Sequence, residues 1–247
     1  MKLSVNLNKV ALLRNARGEN YPDLKYFANK AINLGVDGLT LHPRPDHRHA
    51  TSRDVIELSE LAKDRGVEFN LEGNPFSKPD NKFLGFCELV KMITPEQITL
   101  VPDTIDQITS DHGWMPGHHD DDLNIAIELL KESSNDSKIS LFIDDIMGVE
   151  YASEMNVDSI EIHTGKFSNA INKGDISILS EVKRMIDRAL KNNLLINAGH
   201  DLNLKNLHYL VEIGNINEVS IGHAIIIDSL NYGFENTISK YLEIIRK

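Results

Sequence analysis

Residues 38–49 read GLTLHPRPDHRH: a short strand-like run, Gly38 to Leu41, stops at His42 and a cationic stretch holding Arg44, His47, Arg48 and His49. Three other stretches have the same shape. VEFNLE (67–72) ends in Glu72, SIEIHTG (159–165) carries Glu161 and His163, and LLINAGH (194–200) ends in His200. A β-branched or leucine-rich run that stops at an ionisable side chain has the character of a buried parallel strand whose C-terminal tip carries chemistry. Several such tips in one chain point to a TIM (β/α)8 barrel, which builds its active site from strand ends and the loops after them.

Working outward from these four, further strands are expected near 3–7, 97–101, 139–143 and 218–221, most of them short aliphatic runs suited to burial on both faces. Between the strands, apolar residues recur at three- and four-residue spacing over 22–34, 53–65, 82–93 and 120–132, as in amphipathic helices. Asp23 and Ser52 are helix-start signals, and Gly35 and Gly66 stand where helices should stop. The alternation continues without a shift in composition, so residues 1–247 are read as one barrel domain. A doubly wound open sheet is the alternative, but NKVALLRNARG after the first strand is not the glycine-rich nucleotide turn that fold favours. Two stretches, 102–119 and 164–177, are longer than ordinary connections and are expected to be loops at the active face.

Composition narrows the function. The 247 residues carry 26 Lys and Arg against 37 Asp and Glu, a net charge of −11, which argues against broad nucleic-acid binding. A small anion needs only a local positive pocket, and Lys9, Arg14, Arg17, Arg44 and Arg48 all lie in the first fifth of the chain. That clustering suggests a phosphate or carboxylate substrate. No run is long and apolar enough for a membrane span, and MKLSVNLNKV is too polar for a signal-peptide core, so a cytoplasmic location is expected. The single cysteine, Cys87, excludes an internal disulfide and reads as apolar filler in a helix.

Each tip has a plainer reading beside the chemical one. His42 could be a structural imidazole bonded to a loop, but at a strand end it is placed to exchange protons near neutral pH. Arg48 and His47 could belong to a solvated loop. Glu72 ends an otherwise apolar strand, where burial would raise its pKa toward the range of a general base. Glu161 and His163 alternate, so they share one side of a strand and would form an acid–imidazole pair if that side is inward. A metal is not expected, because no HExxH pattern occurs and His118–His119 falls in a loop. Gly199-His200 and Gly222-His223 end the seventh and eighth strands, where barrels often hold phosphate on backbone N–H groups and a helix N-terminus.

Together VNLNKVALLRNARG (5–18), LTLHPRPDHRH (39–49), FNLE (69–72), FID (142–144), IEIHTG (160–165), INAGH (196–200) and IGHAII (221–226) resemble the pyridoxine 5′-phosphate synthase family over nearly the whole chain. The resemblance implies condensation of 3-amino-2-oxopropyl phosphate with 1-deoxy-D-xylulose 5-phosphate to give pyridoxine 5′-phosphate, phosphate and water. It also implies a homo-octamer with extra helices and no metal or nucleotide cofactor. By position, it makes His42, Glu72 and His200 acid/base residues and Glu161 a charge stabiliser. It makes Asn6, Arg17, Arg44, His49, Thr109, Gly222 and His223 substrate contacts. The bottom-up reason agrees, since joining an amine to a ketone, losing water and phosphate, and aromatising a ring all need repeated proton transfers.

Two positions depart from that family pattern. Where an Asp-His pair is usual this chain has Asn8-Lys9, and where Gly follows Ala-Gly-His it has Asp201. Lys9, expected in a loop above the barrel mouth near Arg17 and Arg44, would still hold an anion. Asp201 would serve if it contributes a backbone N–H with negative φ and turns its charge away from phosphate. Segment 103–117 is expected to close as a lid, with Gly113 and Gly117 as hinges and Thr109 reaching a phosphate. The rivals are an aldolase or sugar-phosphate isomerase barrel and a catalytically silent metabolite-binding protein. No expected strand tip carries a Schiff-base lysine, and His42, Glu72 and His200 are all present.

Overall fold

The computed structural model describes residues 1–117, 120–134 and 136–247. Its elements begin with β1 (Lys2–Asn6), α1 (Asn8–Arg17), α2 (Leu24–Asn33), β2 (Gly38–Leu41), α3 (Ser52–Arg65) and β3 (Glu68–Gly73). They continue with α4 (Phe86–Ile93), β4 (Gln97–Leu100), α5 (Asp120–Ser133), β5 (Lys138–Ile143), α6 (Ile146–Glu154) and β6 (Ser159–His163). The last are α7 (Gly165–Asn172), α8 (Ile178–Lys191), β7 (Leu195–Gly199), α9 (Leu207–Ile213), β8 (Glu218–Ile221), α10 (His223–Tyr232) and α11 (Phe234–Ile245). Each strand pairs in parallel with the next, and β8 closes on β1 with Val5 opposite Ile221. The result is the expected TIM (β/α)8 barrel. Two helices instead of one follow β1, β6 and β8, giving eleven helices among the described residues.

Strict alternation along the strands explains the closure. Leu3, Val5, Leu39, Leu41, Phe69, Leu71, Ile98, Ile160, Ile196 and Val219 are fully buried in the apolar core. Most of the intervening residues are polar, and they face one another inside the barrel. Ser4 Oγ lies 2.6 Å from Thr40 Oγ1, and Thr99 donates to Asn70 at 3.0 Å. Asn197 on β7 donates to Gln97 on β4 at 2.8 Å. The strands are buried on both faces, as expected, but the inner face is largely polar. Burying hydroxyls and amides is tolerable here because they satisfy one another. The same parity that turns Thr40 and Asn70 inward turns His42 and Glu72 inward two residues later.

Local signals position the helices. Asp23 caps α2, accepting from Lys25 N, and Gly66 ends α3 at φ 65. At α3 the cap is Thr51 rather than Ser52: Thr51 Oγ1 accepts from Asp54 N while Asp54 accepts from Thr51 N. Segment 164–177 is not a long loop, since α7 fills most of it. The helix expected over 82–93 starts only at Phe86, after a bridge between Asp80 and Phe83 and a turn at Gly85 with φ 91. Residues 102–117 carry no helix or strand, while His118 and His119 lie outside the described residues. Cys87 is half-buried in α4 and donates its thiol to Pro75 O, rather than serving purely as apolar filler. Among the described residues, no helix is long and apolar enough to cross a membrane.

Candidate active site

A cavity of about 470 Å³ opens at the C-terminal ends of the strands. Of the residues given a role by the family resemblance or by departure from its pattern, all but Arg17 line it: Asn6, Asn8, Lys9, His42, Arg44, His49, Glu72, Thr109, Glu161, His200, Asp201, Gly222 and His223. Arg17 is exposed at the far end of α1. Nine residues of helix at about 1.5 Å each carry it about 13 Å along the axis from the strand tip. Lys9 is on the first turn of α1 rather than in a loop, and it still lines the cavity.

At the centre, an imidazole sits between two carboxylates. His42 Nδ1 is 3.8 Å from Glu72 Oε2, and His42 Nε2 is 3.2 Å from Asp103 Oδ2. Asp103 also pairs with the Arg44 guanidinium, whose other amino group donates to Gln107 O at 2.6 Å. Burial pushes the Asp103 carboxyl up, but His42 and Arg44 outweigh it and hold the pKa below the ordinary range. Glu72 is different. Burial pushes its pKa up despite the His42 imidazole and a 3.4 Å hydrogen bond from Ser220. Asn6 adds a donor to Glu72 at 3.4 Å. Glu72 therefore holds its proton more readily than a free carboxylate while His42 stays within reach, an arrangement that suits proton exchange.

Glu161 lies deeper. Burial first, then Glu72 and Glu218, push its pKa well above the carboxylate range, and Oε2 has no hydrogen-bond partner. Gly199 makes room for it, since a Cβ there would come within 2.2 Å of Glu161 Oε1. His49 is held neutral, its pKa lowered to about 3 by burial and then by His42, Arg44 and Lys9. Lys9 is itself pushed down by burial, with Arg44 and Arg48 adding to the effect. The neighbouring cations at this rim lower the pKa values of Lys9 and His49, and an arriving phosphate would offset that repulsion. Asn8 has a structural task as well, because its Oδ1 accepts from His42 N at 3.0 Å. An amide carbonyl serves there as well as a carboxylate would.

Beside β1, Gly222 stands at the N-cap of α10 with no side-chain cap, and Gly222, His223 and Ala224 line the cavity. Unpaired N–H groups in a first helical turn form a natural anion site. A Cβ on Gly222 would come within 3.0 Å of Asn6, so the close approach of β8 and β1 favours glycine. His200 and Asp201 have φ of 78 and 59, which overturns the expectation of a negative φ at Asp201. Asp tolerates the left-handed region better than most residues. Its carboxylate lies 3.3 Å from His200 Nδ1, an ion-pair distance without hydrogen-bond alignment.

The segment after β4 lies over this cavity. Thr109 Oγ1 is 3.0 Å from His200 Nε2, and Arg48 donates to the carbonyls of Gln107 and Ile105 at 2.6 and 2.7 Å. Arg48 thus grips the segment instead of pointing into solvent. Gly113 is not a hinge. It donates to Asp144 Oδ2 at 2.6 Å, and a Cβ would come within 2.5 Å of Ile143 Cα, so it is an anchor. Trp114 fixes the same root, with its backbone N–H on Phe142 O at 2.8 Å and its indole on Leu100 O at 2.9 Å.

Sequence reasoning missed Asp103 and Ser220. Asp103 sits just beyond QITLVP, an acid after an apolar run, the same signal that marked Glu72. Ser220 follows the inward parity of β8. His163 does not pair with Glu161. Its Nδ1 donates to Asp144 Oδ1 at 2.6 Å. Among the described residues, no group of three or more His, Cys, Asp or Glu is arranged to hold a metal ion.

With this geometry in place, comparison with known proteins is informative. Residues 3–247 match the family described as pyridoxal phosphate biosynthesis protein PdxJ. A protein of Xanthomonas oryzae pv. oryzae named pyridoxine 5′-phosphate synthase is 41% identical, covering 100% of this chain and 97% of its own. One of the same name from Xylella fastidiosa is 42% identical, covering 99% and 94%. Among solved structures, thiamine phosphate pyrophosphorylase from Pyrococcus furiosus aligns with a TM-score of 0.63 at 12% identity, over 99% of this chain and 95% of that one. At that identity the likeness concerns the fold alone.

Proposed function

The chain belongs to the family of the pyridoxal phosphate biosynthesis protein PdxJ and is a biosynthetic enzyme, and from that premise we propose that it condenses 3-amino-2-oxopropyl phosphate with 1-deoxy-D-xylulose 5-phosphate to form pyridoxine 5′-phosphate, releasing phosphate and water. The observation that carries this reading is the buried Glu72–His42 pair in a cavity lined by the cations Lys9 and Arg44 and by the α10 N-terminus. Two phosphorylated substrates need two anion sites. Lys9 and Arg44 supply the first, and the backbone of Gly222 and His223 supplies the second.

Glu72 and His42 pass protons between neighbouring carbons and nitrogen as the ring forms, with Asp103 holding the His42 imidazole and Arg44 holding Asp103. Across the cavity, His200 supplies a second proton-exchanging group. Glu161, whose pKa burial raises, faces the charge that develops at the barrel axis and stabilises it. His49, neutral, binds substrate without adding charge. The chemistry assigns each proton transfer to these side chains and calls for no cofactor. Residues 1–247 act as one catalytic domain in the cytoplasm, assembled as a homo-octamer with the help of the extra helices.

Incubating the purified chain with both substrates tests the reading. Pyridoxine 5′-phosphate should appear by mass and absorbance, with inorganic phosphate in equal amount, and either substrate alone should give neither. Absence of product from folded protein would refute it.

A further inference from the structure

Asp144 and His163 form a buried pair that the chemistry above does not use. Asp144 reaches two elements at once. One oxygen accepts from His163 Nδ1 on β6 at 2.6 Å, and the other accepts from the backbone of Gly113, at the root of the segment over the cavity, also at 2.6 Å. Both side chains are about nine-tenths buried. Gly165 leaves space for the ring, since a Cβ there would come within 2.8 Å of His163 Nε2. The His163 ring meets the His200 ring edge to face, centroids 4.7 Å apart and planes at 83°. His200 in turn touches Thr109 on the covering segment. The contacts close a circuit: Gly113, Asp144, His163, His200, Thr109 and back along the chain to Gly113.

We propose that Asp144 and His163 are positioning residues that orient the His200 imidazole and tie its orientation to the seating of segment 104–112 over the cavity. Asp144 fixes the His163 ring by accepting its Nδ1 proton, and the fixed ring leaves His200 one face to pack on. His200 Nε2 then points at Thr109 when the segment is down. Lifting the segment removes the Thr109 contact, while Gly113 and Trp114 keep its root in place. The inference rests on the reading of His200 as a proton-exchanging group.

The test uses His163→Gln, which keeps a polar group toward Asp144 but loses the ring, with Asp144→Asn beside it. In folded His163→Gln, kcat should fall about 10- to 100-fold, the scale of a misplaced catalytic group, with KM for both substrates within about twofold. The His200 imidazole NMR signals, assigned by their loss in His200→Asn, should move in both variants. Unmoved His200 signals and unchanged kcat in folded His163→Gln would overturn the inference. Should either variant not fold, the wild-type chain decides. The His163 Nδ1 proton should appear downfield and slow to exchange, with a cross-peak to the His200 ring, and its absence would count against the pair. If His200→Asn keeps full turnover, the reading of His200 fails instead, while the signal shifts still report on positioning.

Discussion

The barrel buries carboxylates at both ends, and the two ends differ in what surrounds them. At the mouth, burial raises the pKa of Glu72 and Glu161 beside His42 and an open cavity. At the floor, burial raises that of Glu218 well above the ordinary range, with Glu68 and Asp37 adding to the shift and Lys2 opposing it. Lys2 is committed to Glu68 at 3.0 Å, and Glu218 stands at the end of β8 away from the cavity. A raised carboxylate is therefore a consequence of burial by itself. It becomes chemistry only where a proton-exchanging partner and room for a substrate adjoin it.

The contrast can be broken most severely at the mouth. His42→Asn should lower kcat by about 10²-fold or more in steady-state assays, the scale of a lost acid/base group, with the fold intact. Retained turnover would make the imidazole structural. Next in size, Lys9→Ala should raise KM for one phosphorylated substrate by about 10- to 150-fold, corresponding to roughly 1.5–3 kcal/mol for a charge-assisted contact. The increase should shrink as salt rises. Unchanged KM for both substrates would leave the cationic rim to Arg44. Smaller again, Asp103→Asn keeps shape but loses the charge that faces His42 and Arg44, and it should cost about tenfold in kcat through misalignment.

The smallest effect belongs to the floor and is read in stability. Because folded Glu218 holds its proton more tightly than the unfolded chain does, stability is greatest below the ordinary carboxylate range. It declines as pH rises through the raised folded value. Glu218→Gln removes that decline. Its melting temperature relative to the natural chain should be higher at about pH 8 than at about pH 5. A difference independent of pH would show that Glu218 does not titrate with folding.

The architecture was legible because the strand period and helix stops are local signals: GLTL, EFNLE, SIEIH and EVSI alternate as drawn, and Gly66 ends α3 where expected. The polar interior was present in the same alternation, in Ser4, Thr40, Asn70, Thr99 and Ser220. Reading the runs as apolar hid it. At the site, residues on strand tips could be found because parity places them. Asp103, two residues past Val101, could be placed only by the turn of the loop. The Asp144–His163 contact joins the residue after β5 to the end of β6, and no sequence period announces it. Arg17 failed for the opposite reason, since closeness in sequence to Lys9 did not survive a helix of ten residues.

The central claim is that cavity and partner, rather than burial, turn a raised carboxylate into a catalyst. The most direct measurement compares turnover of Glu72→Gln and Glu218→Gln with that of the natural chain, with each variant confirmed folded. Glu72→Gln should lose about 10²-fold or more in kcat, while Glu218→Gln stays within about twofold. Equal losses, or a larger loss at the floor, would contradict the account.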